Sequence, residues 1–254
     1  MDQILIYIIG GILAGIATGL VGLSAATIIA PLFATMLGMD VYMAIGIALA
    51  SDVLASATSS YIYIKNKNIH FNRKSIIFGV VVIVFAAVGS YFSKDTDPYN
   101  LNGALNIFVV LLGVRFLVYP VKNRGQGNLI KTNKLIIGQA VLWGVIIGMI
   151  SGFFGAGGGL SMLAVLTMLL GYELKPGVGT SVFIMTFTAA IAAGVHFIIG
   201  GVVWFPLVIT CIAAFIGANI ASVFANKTTD KILNIVIGVF LVLFGISLVL
   251  VFYL

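Results

Sequence analysis

The residues Ser151 to Ser161 read SGFFGAGGGLS and hold five glycines, Gly152, Gly155, Gly157, Gly158 and Gly159, inside a long apolar run. A glycine in a helix interior costs about 1 kcal/mol relative to alanine, so three in succession predict a break rather than a packed helix. A break frees backbone N–H groups, and glycine lets the chain turn sharply and a ligand approach. The helical leg that starts near Gly159 aims its positive end at the break. N–H donors and a positive helix end together make an anion site. Ser161, with Thr180 and Ser181 of the later GVGTS stretch, carries a hydroxyl that can donate to the same anion; for Thr180 and Ser181 helix capping is the alternative use.

Two more polar residues lie inside apolar runs. Asp52 sits in ALASDVLASATSS, where an acidic residue at a helix centre costs about 2.5–3.5 kcal/mol on insertion scales. It is therefore protonated, paired or facing water. Two roles stay open: coupling proton movement to anion movement, or a buried carboxyl bonded to Ser51, Ser56 or a neighbouring helix. His196 is a second proton-coupling candidate, with a hydrogen-bonded interfacial histidine as the alternative. Other chemistries lack their residues. A Walker loop needs Lys and then Ser or Thr after its last glycine, but Leu160 follows Gly159. A dinucleotide fingerprint needs a preceding strand. No triad and no metal-ligand spacing recurs, and Cys211 is the only cysteine. We expect no enzyme activity, no cofactor and no metal.

The elements that carry these residues follow from composition. Of 254 residues, 61% are hydrophobic and 8% are charged, whereas a soluble domain carries about 25% charged residues. The apolar runs are long and continuous, which predicts transmembrane helices rather than the short alternating strands of a barrel. The net charge of +6 lies between apolar runs, in KNKNIHFNRK and VKNRGQGNLIKTNK. That pattern marks cytoplasmic loops and not a nucleic-acid partner. MDQ carries no positive charge before the first run, which argues against a cleaved signal peptide.

Two runs, 4–37 and 135–170, are each long enough for a crossing and a shorter second leg, and both are interrupted by glycine. They align at an offset of 133. Gly15 meets Gly148, Gly19 meets Gly152, Gly22 meets Gly155, Gly38 meets Gly171 and Gly46 meets Gly179. Thr18 meets Ser151, and Asp52 meets Met185, so any role of Asp52 is asymmetric. This predicts an all-α polytopic transmembrane bundle of two homologous repeats, each with a glycine-broken helical hairpin. The first repeat is 1–119, a basic cytoplasmic linker is 120–134, and the second repeat is 135–254. The basic loop 65–74 has an uncharged counterpart near 200–206, while 226–231 carries Lys227, Asp230 and Lys231. That exchange predicts inverted repeats of five crossings each, both termini outside. The alternative is four crossings per half, parallel repeats and re-entrant legs.

The stretch ISGFFGAGGGLSMLAVL followed by GVGTS resembles the TauE/SafE family of bacterial membrane proteins, the sulfite exporters, over nearly the whole chain. Gly152, Gly155, Gly157, Gly158, Gly159, Thr180 and Ser181 match its glycine loop and Thr-Ser pair. The first half departs from it. Gly22 and Pro31 are kept, but Leu23-Ser24-Ala25-Ala26 replaces the glycine run and Ile47-Ala48 the Thr-Ser pair. The resemblance implies export of a small sulfur oxyanion such as sulfite, or an organosulfonate. The expected site joins Gly155, Gly157, Gly158, Gly159, Ser161, Thr180 and Ser181 to an opposite wall of Gly22 and Ser24, with Asp52 and His196 as proton-coupling groups. The setting is a cell membrane of the bacterial or archaeal inner type, and homo-oligomerisation stays open. Competing readings are a non-transporting scaffold subunit and a cation or proton channel organised around Asp52.

Overall fold

The computed structural model describes residues 3–93, 133–154, 158–200, 203–229 and, beyond these, 231–233, 235, 236, 239, 243 and 246. The expected crossing at 101–119, all but the end of the linker 120–134, and Gly155 and Gly157 lie outside the described residues. The described residues contain no strand. In hydrocarbon every backbone group needs a partner inside the protein, and a helix supplies it within one segment. The helices are α1 (Gln3–Val21), α2 (Ala26–Leu37), α3 (Val41–Lys65), α4 (Arg73–Ser93), α5 (Asn133–Phe154), α6 (Gly158–Met168), α7 (Leu174–Gly200) and α8 (Trp204–Lys227). Six are long and apolar enough to cross a membrane. Helix α2 has 12 residues and α6 has 11. Each is about 16–18 Å long, too short for a hydrocarbon core of about 30 Å. An order of long, short, long, long thus occurs twice.

Close contacts fix the direction of each helix. A Cβ placed on Gly11, Gly15 or Gly19 of α1 would meet Ala213, Ala214 and Ala218 of α8 in the same order. Helices α1 and α8 therefore run the same way. Gly144, Gly148 and Gly152 of α5 climb along Val81, Val82 and Ala86 of α4 likewise. Ser51 touches Cys211 and Ser59 bonds to Ser222, so α3 is parallel to α8. In contrast, Gly46 lies against His196 while Ser60 reaches Thr186, so α3 and α7 are antiparallel. Helix α2 folds back on α1, with Phe33 against Tyr7, and α6 folds back with Gly177 of α7 against Leu163 and Thr167. From one face of the bundle to the other run α1, α3, α6 and α8; α2, α4, α5 and α7 return. Each helix of the first four runs opposite to its counterpart in the second four.

The two faces differ in charge. Lys65, Lys67, Arg73, Lys74, Lys175, Lys227 and Glu173 belong to the face where α3 and α8 end. Asp40 is the one charged residue of the described helix-to-helix turns at the face where α1 begins, and there it caps α3 by accepting from the Met43 N–H at 3.0 Å. At the basic face, Lys175 Nζ donates to the Asn226 carbonyl at 3.1 Å and Asn68 Nδ2 to Asn226 Oδ1 at 2.7 Å. Around the bundle, Ile76, Val80, Val84 and Val88 form an exposed stripe on α4 at helical spacing. Such a stripe faces lipid, where an exposed apolar side chain has no transfer penalty.

Candidate functional site

Helices α1 and α2 form one broken hairpin, and α5 and α6 form the other. They enter the bundle from opposite faces. Their tips meet: a Cβ on Gly159 would fall on the Gly22 carbonyl and on Met185 Sδ. No residue but glycine allows that approach. Gly22 itself has φ +70, a left-handed turn that a side chain disfavours. A Cβ there would also meet Ser181 Oγ at 2.9 Å. Gly22, Gly159, Ser181 and Met185 are thus brought together, with Gly158 beside Ser151. Both short helices begin at these tips and point their positive ends at one another across the middle of the bundle.

The first tip is organised around Asp52. Asp52 is 1% exposed and lies 11 residues into the 25-residue α3, about 16 Å from its start. Its Oδ2 accepts from Ser24 Oγ at 2.7 Å and its Oδ1 from the Ala25 N–H at 3.0 Å. Ser24 Oγ also accepts from the Ala26 N–H at 3.3 Å. Thr18 Oγ1 lies 3.5 Å from Asp52 Oδ1 but only 2.8 Å from the Leu23 carbonyl. It has one proton, and the shorter bond takes it. Of the partners expected for Asp52 in sequence, Ser56 donates instead to the Asp52 carbonyl and Ser51 to the Ile47 carbonyl.

Ser161 is half-buried on the first turn of α6. Ser181 Oγ donates to the Val178 carbonyl at 2.9 Å. Thr180 is fully buried but turned to the basic face, where its hydroxyl donates to the His70 carbonyl at 3.1 Å and accepts from the His70 N–H at 3.3 Å. His196 is 1% exposed and lies 11 residues beyond Met185 on α7, stacked on Tyr42 with ring centroids 4.1 Å apart. Neither of its ring nitrogens, nor Tyr42 Oη, makes a hydrogen bond among the described residues. Sequence reasoning passed over Tyr42, which sits at the start of a helix and reads as an interfacial tyrosine. It also missed Tyr63, which is 133 residues before His196 and donates to the Gly19 carbonyl at 3.3 Å.

A multi-pass helical bundle with two broken hairpins meeting inside it defines a membrane transporter rather than an enzyme. The model of the Sulfite exporter TauE/SafE family matches residues 7–248, and the chain belongs to that family. It is similar to the probable membrane transporter protein YunE of Bacillus subtilis (strain 168), 24% identical over 96% of this chain and 96% of the relative. The probable membrane transporter protein YdhB of the same organism is 25% identical over 87% of this chain and 90% of its own length. A third, MJ0441 of Methanocaldococcus jannaschii, also a probable membrane transporter protein, is 28% identical over 72% of this chain and 68% of its own. No solved structure matches the chain.

Proposed function

We propose that the chain is an inverted duplication that exports a small sulfur oxyanion, sulfite first among them, or an organosulfonate. The anion binds at the tip of the α5–α6 hairpin, and the two hairpins rock against each other to alternate access. The observation that carries this reading is the second tip. There the positive end of α6 begins at Gly158 and Gly159 in mid-bundle, and none of α5, α6, α7 or α8 contains an Asp or Glu. Backbone donors and a helix end whose own half of the bundle places no acidic side chain on its helices suit an oxyanion. The family's description supplies sulfite as the first candidate.

The opposed directions of matching helices support inversion. A hairpin adds an even number of legs, so with α3 and α4 one further crossing, which the apolar sequence of 101–119 is long enough to supply, makes the count of the first repeat odd. The basic face then lies in the cytoplasm, with α1 starting outside. Ser181 lines the tips. The Thr180 hydroxyl, bonded to His70, holds the loop 66–72 to α7 and lies off the path of the anion. His196 and Tyr42 offer unpartnered buried polar atoms between the tips and the outer face, which suits proton coupling. Asp52, held by two donors at the first tip, has a fixed place, and that disfavours a channel organised around it.

Counterflow in proteoliposomes tests the reading. Vesicles preloaded with unlabelled sulfite, thiosulfate or a small sulfonate are diluted into labelled sulfite. Transient accumulation above empty vesicles is expected with sulfite and its close analogues. No accumulation with any of the three would overturn the anion assignment and leave a scaffold subunit.

A further inference from the structure

The two tips differ in one chemical respect. In the first, the N–H groups that open α2 already have acceptors. Ala25 N–H donates to Asp52 and Ala26 N–H to Ser24 Oγ, while Thr27 N–H bonds to the Ser24 carbonyl at 3.0 Å. At the offset of 133 that aligns the glycines, Ala25 and Ala26 correspond to Gly158 and Gly159. The acceptors do not survive the same comparison. Asp52 corresponds to Met185, whose thioether is at most a weak acceptor, and Ser24 to Gly157, which has no side chain. Both acceptors, one a carboxylate and one a hydroxyl, are present in one half and missing from the other.

We propose that Asp52 is a built-in anion: its carboxylate fills, at the first tip, the helix-N-terminal site that the second tip leaves to the transported ion. The protein then has one substrate site rather than two, although it has two broken hairpins. Three further observations agree. The carboxylate is 1% exposed and uses both oxygens on this tip. A negative charge at a helix N-terminus is stabilised by the backbone dipoles, which offsets part of the desolvation of Asp52 in mid-bundle. Thr27, in the first turn of α2, is fully buried with its hydroxyl unpartnered among the described residues. The tip therefore still holds polar capacity beyond what the carboxylate uses. The proposal rests on the anion reading of the second tip for its functional meaning, while the role of Asp52 itself can be tested without transport.

The test is melting of the full-length protein in nanodiscs with formate, the carboxylate that an Asp52→Ala substitution removes. Ionic strength is held constant with gluconate, a much bulkier carboxylate than the one removed. Asp52→Ala should melt below wild type without formate. Formate at about 100 times its Kd should raise Tm by roughly 5–10 °C, well beyond any shift in wild type. The response should persist in Asp52→Ala/Gly158→Ala, because the second tip is not where formate binds. A formate response no larger than that of wild type, or its loss in the double variant, would overturn the proposal. If Asp52→Ala does not survive extraction, Asp52→Asn decides. Its amide fills the site, so it should melt below wild type and ignore formate. Melting at or above wild type would show that the charge is not needed. Sulfite appears in neither arm, so a failure of the sulfite reading leaves these outcomes interpretable.

Discussion

Gly159 has a backbone oxygen where a side chain would begin, and that oxygen belongs to the other hairpin. Gly159→Ala must push the two tips apart, and overpacking of this kind costs about 1–3 kcal/mol. A lower Tm and lost flux are expected together. Gly194, six residues before the end of α7, has open space within 4 Å of where a Cβ would stand and no positive φ, so Gly194→Ala should raise stability by about 0.5–1 kcal/mol. Thermal melting of both variants separates glycines kept for a close approach from those without such a constraint. His196→Gln is expected to leave sulfite flux responding less to an imposed pH gradient, read by comparing flux with and without the gradient. An unchanged response would remove His196 from the coupling. At this scale the sequence announced the polar residues but not their partners. Asp52 was visible as an anomaly because a charge in an apolar run is rare. Its bonds to Ser24 and Ala25 span a fold-back of the chain, which no local pattern encodes.

Glycines four apart on α1 and α5 serve as helix-packing faces. They let α1 touch α8 and α5 touch α4, with small residues in place of side chains. A Cβ on Gly15 would meet the Ala214 carbonyl and one on Gly148 the Val82 carbonyl. Gly15→Leu should therefore separate α1 from α8 and lower Tm, with an effect larger than that of Gly138→Leu, where the position is open. Equal losses in the two would contradict the packing role. The glycine spacing was legible because four residues return to the same face of a helix. The identity of each partner was not, since α8 lies some 200 residues from α1 and its contribution is mostly alanine. The short second legs, α2 and α6, were legible from run length and from the glycines that interrupt them.

At the scale of the whole molecule, α1 and α5, α3 and α7, and α4 and α8 run in opposite directions, as the proposed inverted duplication requires. That reversal was hinted at by loop charge, because positive loops change place between the halves. It also sets a topology that can be measured. In a Cys211→Ser background, Lys67→Cys should react with a membrane-impermeant thiol reagent only after cells are opened, and Asp40→Cys should react from outside. The reverse pattern would turn the protein over and place the α5–α6 hairpin on the outer side. The central claim concerns the second tip, and one flux comparison tests it most directly. Sulfite flux is measured in proteoliposomes holding equal amounts of folded wild type, Gly158→Ala and Gly194→Ala. A saturable wild-type flux, kept in Gly194→Ala and reduced at least about tenfold in Gly158→Ala, a loss of about 1.4 kcal/mol of transition-state stabilisation, is the predicted result. Wild-type flux through Gly158→Ala would contradict the assignment of the anion to this tip.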